Sequence, residues 1–373
     1  MILMKAFKLI LCINLLLSLF GCKSRFNENG LDFEPGDEII SYQDSMYYKQ
    51  LNQYEKSIYQ SLFHACIYGT EEFEVGIKFN DSYITRAVDA FNFDFPQLYW
   101  YRSYSYKDCG NYINIKQNYV DDIQKCMDLY HEIENIATDI ALQCVAEYQY
   151  DTIKNIHDYL VTNVTYVEDC EYNQDIRSVF LNHEAVCAGF SYAFQYLCNL
   201  CGYECYCIHG DSFANANDST HLWNCIKLGD TFYYVDVTWD NIEESGIEQG
   251  PFHFYFLTTE EIFRTDHIFD LRFQYPTCDD NSIYFYDEPG IYLDEFNTDG
   301  VTNLLVYWAN EGYNQVYFKC SSQDLCNLYA DWLNSDYGFE RIFRKYIDRY
   351  SAFGWKISRN EASNCIIFSW YYC

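Results

Sequence analysis

The sequence predicts an α+β fold in which helices pack on antiparallel strands. Residues 185–202 carry apolar side chains at helical spacing. Residues 221–239 have the pattern of two strands joined by a turn at Gly229–Asp230, which makes the strands antiparallel. After residue 281, short apolar strands alternate with helical patterns, which indicates a separate small α+β domain.

Length and composition indicate a folded protein of two or three domains. The chain has 373 residues, of which 49% are hydrophobic, and it contains 39 tyrosines and 28 phenylalanines. Extensive disorder is therefore not expected. The formal net charge is −31, and no dense run of lysine or arginine occurs. Because nucleic-acid binding requires a basic surface that displaces counterions, nucleic acid is excluded as an expected partner.

The first 21 residues have the features of a signal peptide. Lys5 and Lys8 precede an apolar run, Leu9–Phe20, that is too short to cross a bilayer but has the length of a signal-peptide core. The sequence Leu-Phe-Gly-Cys at 19–22 resembles the bacterial lipoprotein processing box. This resemblance implies cleavage before Cys22 and acylation of its thiol, and an ordinary cleaved signal peptide is the alternative.

These features predict an exported protein of the bacterial cell envelope. Its partner there is the membrane, which it reaches through a lipid on Cys22, since acyl chains anchor a protein without spanning the bilayer. The polar residues 22–45 are predicted to form a flexible stalk.

Residues 46–149 are predicted to form a mostly helical N-terminal region. Spaced apolar and aromatic positions indicate a helix from Tyr47 to Gly69, and a strand-like segment follows at 72–79. Pro96 should end any preceding helix, and the aromatic residues after it favour a strand. The stretch from Val120 to Ala146 is predicted to be a long helix.

A second domain is predicted over residues 150–278. It begins with a helix from Asp151 to Asn163, with Asp151 as a suitable N-cap. His157 lies on the apolar face of this helix. A histidine in that position is more often a hydrogen-bonded core residue than a ligand, so His157 is predicted to be structural.

The third domain is predicted over residues 281–373. Its expected strands and helices are Leu304–Trp308, Gln315–Lys319, Leu325–Leu333, Phe339–Arg349 and Cys365–Tyr371. This region combines no nucleophile with a base, so its sequence predicts no chemistry.

Cys187 lies at the first turn of the helix predicted within 185–202. Unpaired backbone N–H groups and the positive end of the helix dipole favour an anion there, so the position favours a thiolate. Ala188 and Gly189 are small and leave room for a substrate carbonyl. Gly202 is suited to end the helix in a left-handed conformation.

A base and an orienting carboxylate are expected on the hairpin that follows. With the turn at Gly229–Asp230, paired positions sum to 459, so Trp223 faces Asp236 and His221 faces Thr238. Asp236 then lies diagonal to His221 on the same face, within side-chain reach. A register slip of one residue would separate the two side chains.

Three motifs resemble the transglutaminase-like superfamily, whose fold is related to papain. They are Val-Cys-Ala-Gly at 186–189, His-Leu-Trp-Asn at 221–224 and Tyr-Tyr-Val-Asp-Val-Thr-Trp-Asp at 233–240. The likeness extends to Ile-His-Asp-Tyr-Leu at 156–160 and to Asp266–His267. The chain is similar to a group of bacterial exported proteins of this superfamily.

The resemblance implies a thiol enzyme that acts on amide or ester carbonyls of a peptide or protein substrate. Cys187 would be the nucleophile, His221 would move the proton and Asp236 would fix the tautomer of His221. The backbone N–H of Cys187 would contribute to the oxyanion hole. Trp223 and Trp239 are the candidates for lining the substrate groove. No cofactor is expected, and no segment resembles a calcium loop.

Two other interpretations remain at the level of sequence. Cys198, Cys201, Cys205 and Cys207 are closely spaced, but each pair falls on one face of a helix or strand, which favours burial over a metal site. The protein could also be a surface adhesion or binding lipoprotein whose transglutaminase-like domain is inactive, since abundant aromatic residues and an acidic surface suit binding as well as catalysis.

Overall fold

The computed structural model describes residues 25–27, 30–32, 42–212, 219–241, 253, 255–280, 290–310, 312–335, 338–348, 351–360 and 364–372. The predicted signal peptide at 1–21 and the predicted lipidation site at Cys22 lie outside these residues. Across the described ranges, no helix is both long enough and apolar enough to cross a membrane.

The α+β fold class is confirmed. The helices are α1 (Met46–Lys49), α2 (Gln53–Tyr68), α3 (Asp81–Asp94), α4 (Ile123–Cys144), α5 (Gln149–Asn163), α6 (Cys187–Leu200), α7 (Val237–Asp240), α8 (Glu260–Phe263), α9 (Thr298–Asn310), α10 (Gln323–Asn334) and α11 (Phe339–Ile342). Single turns of 3₁₀-helix at Tyr42–Asp44 and of π-helix at Ser178–Asn182 and Phe343–Ile347 accompany them.

The strands form several small sheets. They are β1 (Arg25–Asn27), β2 (Gly30–Asp32), β3 (Glu72–Val75), β4 (Tyr101–Asp108), β5 (Ile113–Tyr119), β6 (Thr165–Tyr166), β7 (Glu184–Ala185), β8 (Cys205–Ser212), β9 (Ser219–Leu228), β10 (Thr231–Val235), β11 (His267–Phe269), β12 (Gly290–Leu293), β13 (Gln315–Cys320), β14 (Phe353–Asn360) and β15 (Cys365–Tyr372). Strands β1 and β2 pair within the segment predicted as a stalk.

The N-terminal region combines helices α1–α4 with the sheet β3-β5-β4. Asn52 and Glu55 form a capping box that starts α2, and Gly69, at φ 66°, ends it in the left-handed conformation. Helix α3 ends before Pro96, as the sequence predicts. Helix α3 itself and the hairpin of β4 and β5 were not predicted from the sequence.

One hydrophobic core joins the N-terminal region to helices α5 and α6. Its buried residues run from Tyr47 to Phe273. Specific hydrogen bonds cross the same boundary, because Gln195 on α6 donates to the carbonyl of Phe93 at 2.9 Å and the Tyr47 hydroxyl donates to the carbonyl of Cys207. The N-terminal region therefore supports the helix that begins at Cys187.

The central sheet has the strand order β10-β9-β8-β11, and α6 packs against it. The predicted register of the hairpin is confirmed, since Thr231 pairs with Leu228 and Val235 with Asn224. The predicted return strand to Trp239 is wrong, because β10 ends at Val235. Asp236 accepts hydrogen bonds from the next turn and starts α7 instead.

The C-terminal residues build a mixed sheet in the order β12-β13-β15-β14 with its own hydrophobic core. The strands at 315–320 and 365–372 and the helices at 323–334 and 339–342 agree with the sequence analysis. The strand predicted at Leu304–Trp308 is wrong, since this segment lies in α9. Val301 and Leu305 are buried four residues apart, which is helical spacing.

Candidate active site

Cys187 is the first residue of helix α6, as predicted from the sequence. Val186 precedes it as the N-cap in an extended conformation, and the thiol is free and partly exposed. N–H groups in the first turn of a helix have no partner within it, so they are available to an anion.

Gly189 has a packing role that the sequence did not reveal. A Cβ atom there would lie 2.7 Å from the Cβ of Ala185 and 3.2 Å from the carbonyl oxygen of Asn173. The missing side chain therefore lets the segment around Asn173 approach helix α6, rather than leaving space for a substrate.

His221 and Asp236 meet in a buried hydrogen bond. Nε2 of His221, on β9, donates to Oδ2 of Asp236 at 2.7 Å. The other carboxylate oxygen, Oδ1, accepts from the backbone N–H groups of Thr238 at 2.9 Å and Trp239 at 3.1 Å. Asp236 is therefore fixed as the N-cap of α7 while it holds the imidazole.

The imidazole of His221 also contacts the Cys187 thiol. Because Nε2 is bound to Asp236, Nδ1 is the ring nitrogen left for the sulfur. Burial disfavours the charged imidazolium, but the charge and hydrogen bond of Asp236, together with the Cys187 contact, raise the pKa of His221 to about 10. The same pairing outweighs burial at Asp236 and holds its pKa well below the usual range.

Three buried residues, His267, Asp266 and Tyr255, extend this arrangement beyond the three predicted ones. Nε2 of His267 also donates to Oδ2 of Asp236, at 3.1 Å, and Nδ1 of His267 lies 2.7 Å from Oδ1 of Asp266. The hydroxyl of Tyr255 donates to Asp266. Asp266–His267 is part of the family likeness in the sequence, but the sequence alone predicts no role for it in the site.

The two predicted groove residues lie in different environments. Trp223 is fully buried, with its ring centroid 4.8 Å from that of His267, so it packs beneath the histidines and does not line an open groove. Gly210 makes room for it, because a Cβ there would lie 2.6 Å from the Trp223 ring. Trp239 is half-buried, and its ring centroid is 5.5 Å from that of His221.

A second buried cluster surrounds His157. Nδ1 of His157 donates to Oδ1 of Asp158 at 3.0 Å, and Nε2 donates to Oδ2 of Asp240 at 3.1 Å. Nε2 of His253 lies 2.7 Å from the same Asp158 oxygen, and Lys154 pairs with the other at 2.5 Å. Burial opposes the charged form, but the two carboxylates raise the pKa of His157.

Each cluster contains three potential metal ligands within 4.8 Å of one another. They are His157, Asp158 and His253 in one, and His221, Asp236 and His267 in the other. In both, imidazole nitrogens share one carboxylate oxygen through hydrogen bonds, which a cation would have to replace. The closely spaced Cys198, Cys201, Cys205 and Cys207 are all buried in the hydrophobic core.

Residues 134–237 match the family model of the transglutaminase-like superfamily. The match begins within α4 and ends one residue after Asp236. It confirms the resemblance found in the sequence for this part of the chain. No curated protein matches the sequence.

Solved structures that the chain matches include one described as a TGase, at 15% identity over 50% of this chain and 56% of its own, with a TM-score of 0.25. Another, from Cytophaga hutchinsonii, is provisionally described as a cysteine protease, at 17% identity over 34% of this chain and 51% of its own, with a TM-score of 0.25. Menin matches at 16% identity over 36% of this chain and 29% of its own, with a TM-score of 0.24. The matched regions cover about half, or less, of these proteins.

Proposed function

We propose that the protein is a thiol enzyme that transfers or hydrolyses the acyl group of a peptide or protein amide. Cys187 is the nucleophile, His221 the proton carrier and Asp236 the orienting carboxylate. The supporting observation is the 2.7 Å hydrogen bond between His221 and Asp236 beside a thiol at the first turn of a helix. The transglutaminase-like match over residues 134–237 is consistent with this chemistry.

The first half-reaction forms a thioester. The Cys187 thiolate attacks the carbonyl carbon, and the developing oxyanion accepts a hydrogen bond from the backbone N–H of Cys187. Nδ1 of the His221 imidazolium gives its proton to the leaving nitrogen as the C–N bond breaks. The amine departs neutral, and His221 is left as a neutral imidazole.

The second half-reaction releases the acyl group. Water or a second amine attacks the thioester carbon, His221 takes the proton of the attacking group, and the thiolate leaves. Water gives a carboxylic acid, and an amine gives a new amide. Throughout, Asp236 keeps Nε2 of His221 protonated, so that Nδ1 faces the sulfur and the reacting atoms.

We also propose that the protein is exported to the bacterial cell envelope and anchored there through a lipid on Cys22. The lysines, short apolar core and Leu-Phe-Gly-Cys sequence of the leader support this location. Detergent phase partitioning of the expressed protein tests it. Wild type is expected in the detergent phase and Cys22→Ala in the aqueous phase, whereas equal partitioning would contradict lipidation.

The proposed reaction is tested by incubating wild type and Cys187→Ala with a peptide library and a labelled primary amine, followed by mass spectrometry. Cleaved peptides indicate hydrolysis, and labelled peptides indicate transamidation. Either product should require the thiol and be absent with Cys187→Ala. Peptides left unchanged by correctly folded wild type would contradict the proposal and favour the binding-protein alternative.

A further inference from the structure

The C-terminal domain contains a buried lysine whose ammonium group has no hydrogen-bond partner. Lys319, on β13, is 3% exposed, and its Nζ donates no hydrogen bond to any of the described residues. Alternate residues of the same strand, Val316, Phe318 and Cys320, belong to the core of that domain. Because side chains alternate along a strand, Lys319 lies on the opposite face. A buried ammonium without a partner is costly, so a favourable contact on that face must offset the cost.

The ammonium of Lys319 lies against the ring of Tyr255. Its Nζ is 3.9 Å from the ring centroid, which is within the range of a cation–π interaction. Tyr255 is 1% exposed, so water screens this attraction little. The C-terminal domain therefore places a cation directly against a residue of the candidate active site.

Tyr255 begins a chain of hydrogen bonds that reaches the proposed catalytic histidine. Its hydroxyl donates to Oδ2 of Asp266, and Oδ1 of Asp266 lies 2.7 Å from Nδ1 of His267. Nε2 of His267 donates to Oδ2 of Asp236 at 3.1 Å, and the same oxygen accepts from His221 at 2.7 Å. Because all five residues are buried, water does not compete for these bonds.

The backbone of Tyr255 is bound to the same centre. Its carbonyl accepts a hydrogen bond from the N–H of Asp236 at 3.0 Å, and its own N–H donates to Oδ1 of Asp240 at 3.0 Å. Tyr255 therefore contacts both ends of α7 through its backbone, while its hydroxyl supports His267 through Asp266. A displacement of Tyr255 would reach Asp236 by both routes.

The charges of the centre suit a cation at this position. Asp236 and Asp266 are buried carboxylates, each 1% exposed, and His267 lies between them. Two negative charges in a buried site repel each other, so positive charge nearby stabilises them. His221, whose pKa is raised to about 10, supplies one such charge. The ammonium of Lys319 supplies a second, against the ring whose hydroxyl binds Asp266.

We propose that Lys319 is a positioning residue for the reaction at Cys187, so that the C-terminal domain completes the active site. Its ammonium fixes the ring of Tyr255 and strengthens the hydroxyl as a donor, because a cation on the ring face withdraws electron density from the ring. The hydrogen-bonded chain then holds Asp236 in the orientation that aligns His221. This inference rests on the proposed function, since it concerns the same thiol and the same proton transfer.

The kinetics of Lys319→Met test this role, because methionine preserves most of the side-chain length and removes the charge. We expect kcat to fall about three- to tenfold with KM unchanged, since Lys319 does not touch the substrate. Lys319→Arg keeps a cation that stacks on aromatic rings, so it should retain most of the activity. A lower thermal stability of Lys319→Met with unchanged kcat would show that Lys319 only anchors the domain, and would overturn the proposal.

The matched control is a second lysine of the same domain that also lies over a ring. Nζ of Lys345 is 4.5 Å from the ring centroid of Tyr346, and both residues are exposed. Lys345→Met makes the same chemical change away from Tyr255 and should keep the kcat of wild type. Equal losses of kcat in Lys345→Met and Lys319→Met would contradict a specific role for Lys319.

A double-mutant cycle tests the route through Tyr255. Tyr255→Phe keeps the ring against Lys319 and loses only the hydroxyl that binds Asp266, so kcat should fall by a similar factor. Adding Lys319→Met to Tyr255→Phe should lower kcat by less than about twofold further, because both changes interrupt the same chain. Losses that multiply would contradict this route. An unchanged kcat in Tyr255→Phe would overturn the proposal even if Lys319→Met did not fold.

The alkylation rate of Cys187 separates this inference from the proposed function. Iodoacetamide at mildly acidic pH reports the thiolate without any peptide substrate. Lys319→Met should slow alkylation of Cys187 about threefold, because a less firmly held His221 stabilises the thiolate less. Lys319→Arg and Lys345→Met should react as wild type does. If wild type altered no peptide, the proposed reaction would be contradicted, and slower alkylation in Lys319→Met would still support the positioning role. Equal alkylation rates in wild type and Lys319→Met would overturn that role alone.

Discussion

Two buried clusters of histidine and aspartate lie at opposite ends of the short helix α7. Asp236 begins this helix and binds His221 and His267, and Asp240 ends it and binds His157. In each cluster two imidazoles share one aspartate oxygen, which is Oδ2 of Asp236 in the first cluster and Oδ1 of Asp158 in the second. The side chains and hydrogen bonds are so similar that a buried His–Asp pair alone does not identify a catalytic site.

The two clusters differ in the environment of the nearest thiol considered for each, Cys187 for the first and Cys144 for the second. His221 contacts the partly exposed Cys187 at the start of a helix. The Cys144 thiol is buried. Its burial, together with the negative charge of Asp158 in the second cluster, raises its pKa to about 11. The Cys144 thiol is thus held neutral, whereas the Cys187 thiol contacts the imidazole of His221.

The strongest test of this comparison changes the carboxylates at the two ends of α7. Asp236→Asn is expected to lower kcat by about 10²–10⁴-fold, because an amide no longer fixes the productive tautomer of His221. Asp240→Asn should lower the free energy of unfolding by about 2 kcal/mol, since it removes one of the two carboxylates that bind the buried His157 and leaves only Asp158. Its kcat should change by less than about threefold.

Turnover of a peptide substrate and chemical denaturation measure these effects. If Asp240→Asn lost as much activity as Asp236→Asn while remaining folded, the functional distinction between the two clusters would be wrong.

The second imidazole of each cluster gives a smaller effect. His267→Gln removes the ring that shares Oδ2 of Asp236, so the carboxylate should hold His221 less firmly. We expect kcat to fall about tenfold, which is less than the loss of a general acid–base residue would cause. His253→Gln, the matched change at Asp158, should leave kcat unchanged. Steady-state kinetics on both variants provide the measurement, and equal losses would contradict a special role for His267.

The pH dependence sharpens the comparison further. His221 and His157 both have folded-state pKa values above the ordinary value of about 6.5. Each therefore stabilises the fold fully below about pH 6.5, and its contribution is lost as the pH rises through the folded pKa, which is about 10 for His221. The free energy of unfolding should fall over this range.

Only His221 should affect the alkaline limb of kcat/KM, which we expect to fall as the pH passes about 10 and His221 loses its proton. Denaturation and kinetics at matched pH values test both statements. The His157→Gln variant should show a smaller loss of stability between pH 6.5 and 10 and an unchanged kinetic limb. A shifted limb in that variant would show that the second cluster takes part in the reaction.

Sequence reasoning predicted the elements that local patterns specify. The helix at Cys187, its Gly202 end and the hairpin register depend on spacing, a turn type and apolar alternation, all of which are visible in the chain. The helix at 81–94 and the strand wrongly placed at 304–308 depend on burial by distant residues, which local patterns do not contain.

The same distinction applies to the site. Asp236 directly follows the hairpin and is fifteen residues from His221, so the register of the hairpin brings the two residues close together. His267 reaches Asp236 from β11, at the far edge of the sheet, and Trp223 is covered by residues that follow it in the chain. The positions of His267 and Trp223 in the site could not be predicted from the sequence without knowing the order of the strands in the sheet.

The reactivity of Cys187 tests the central claim most directly. Wild type and His221→Ala, both confirmed to be folded, are treated with limiting iodoacetamide at pH 6, and the alkylated cysteines are located by mass spectrometry. An imidazolium-paired thiolate should make Cys187 the first cysteine labelled in wild type, and His221→Ala should remove that preference. Uniform labelling of the accessible cysteines in wild type, or an unchanged preference in His221→Ala, would contradict the account.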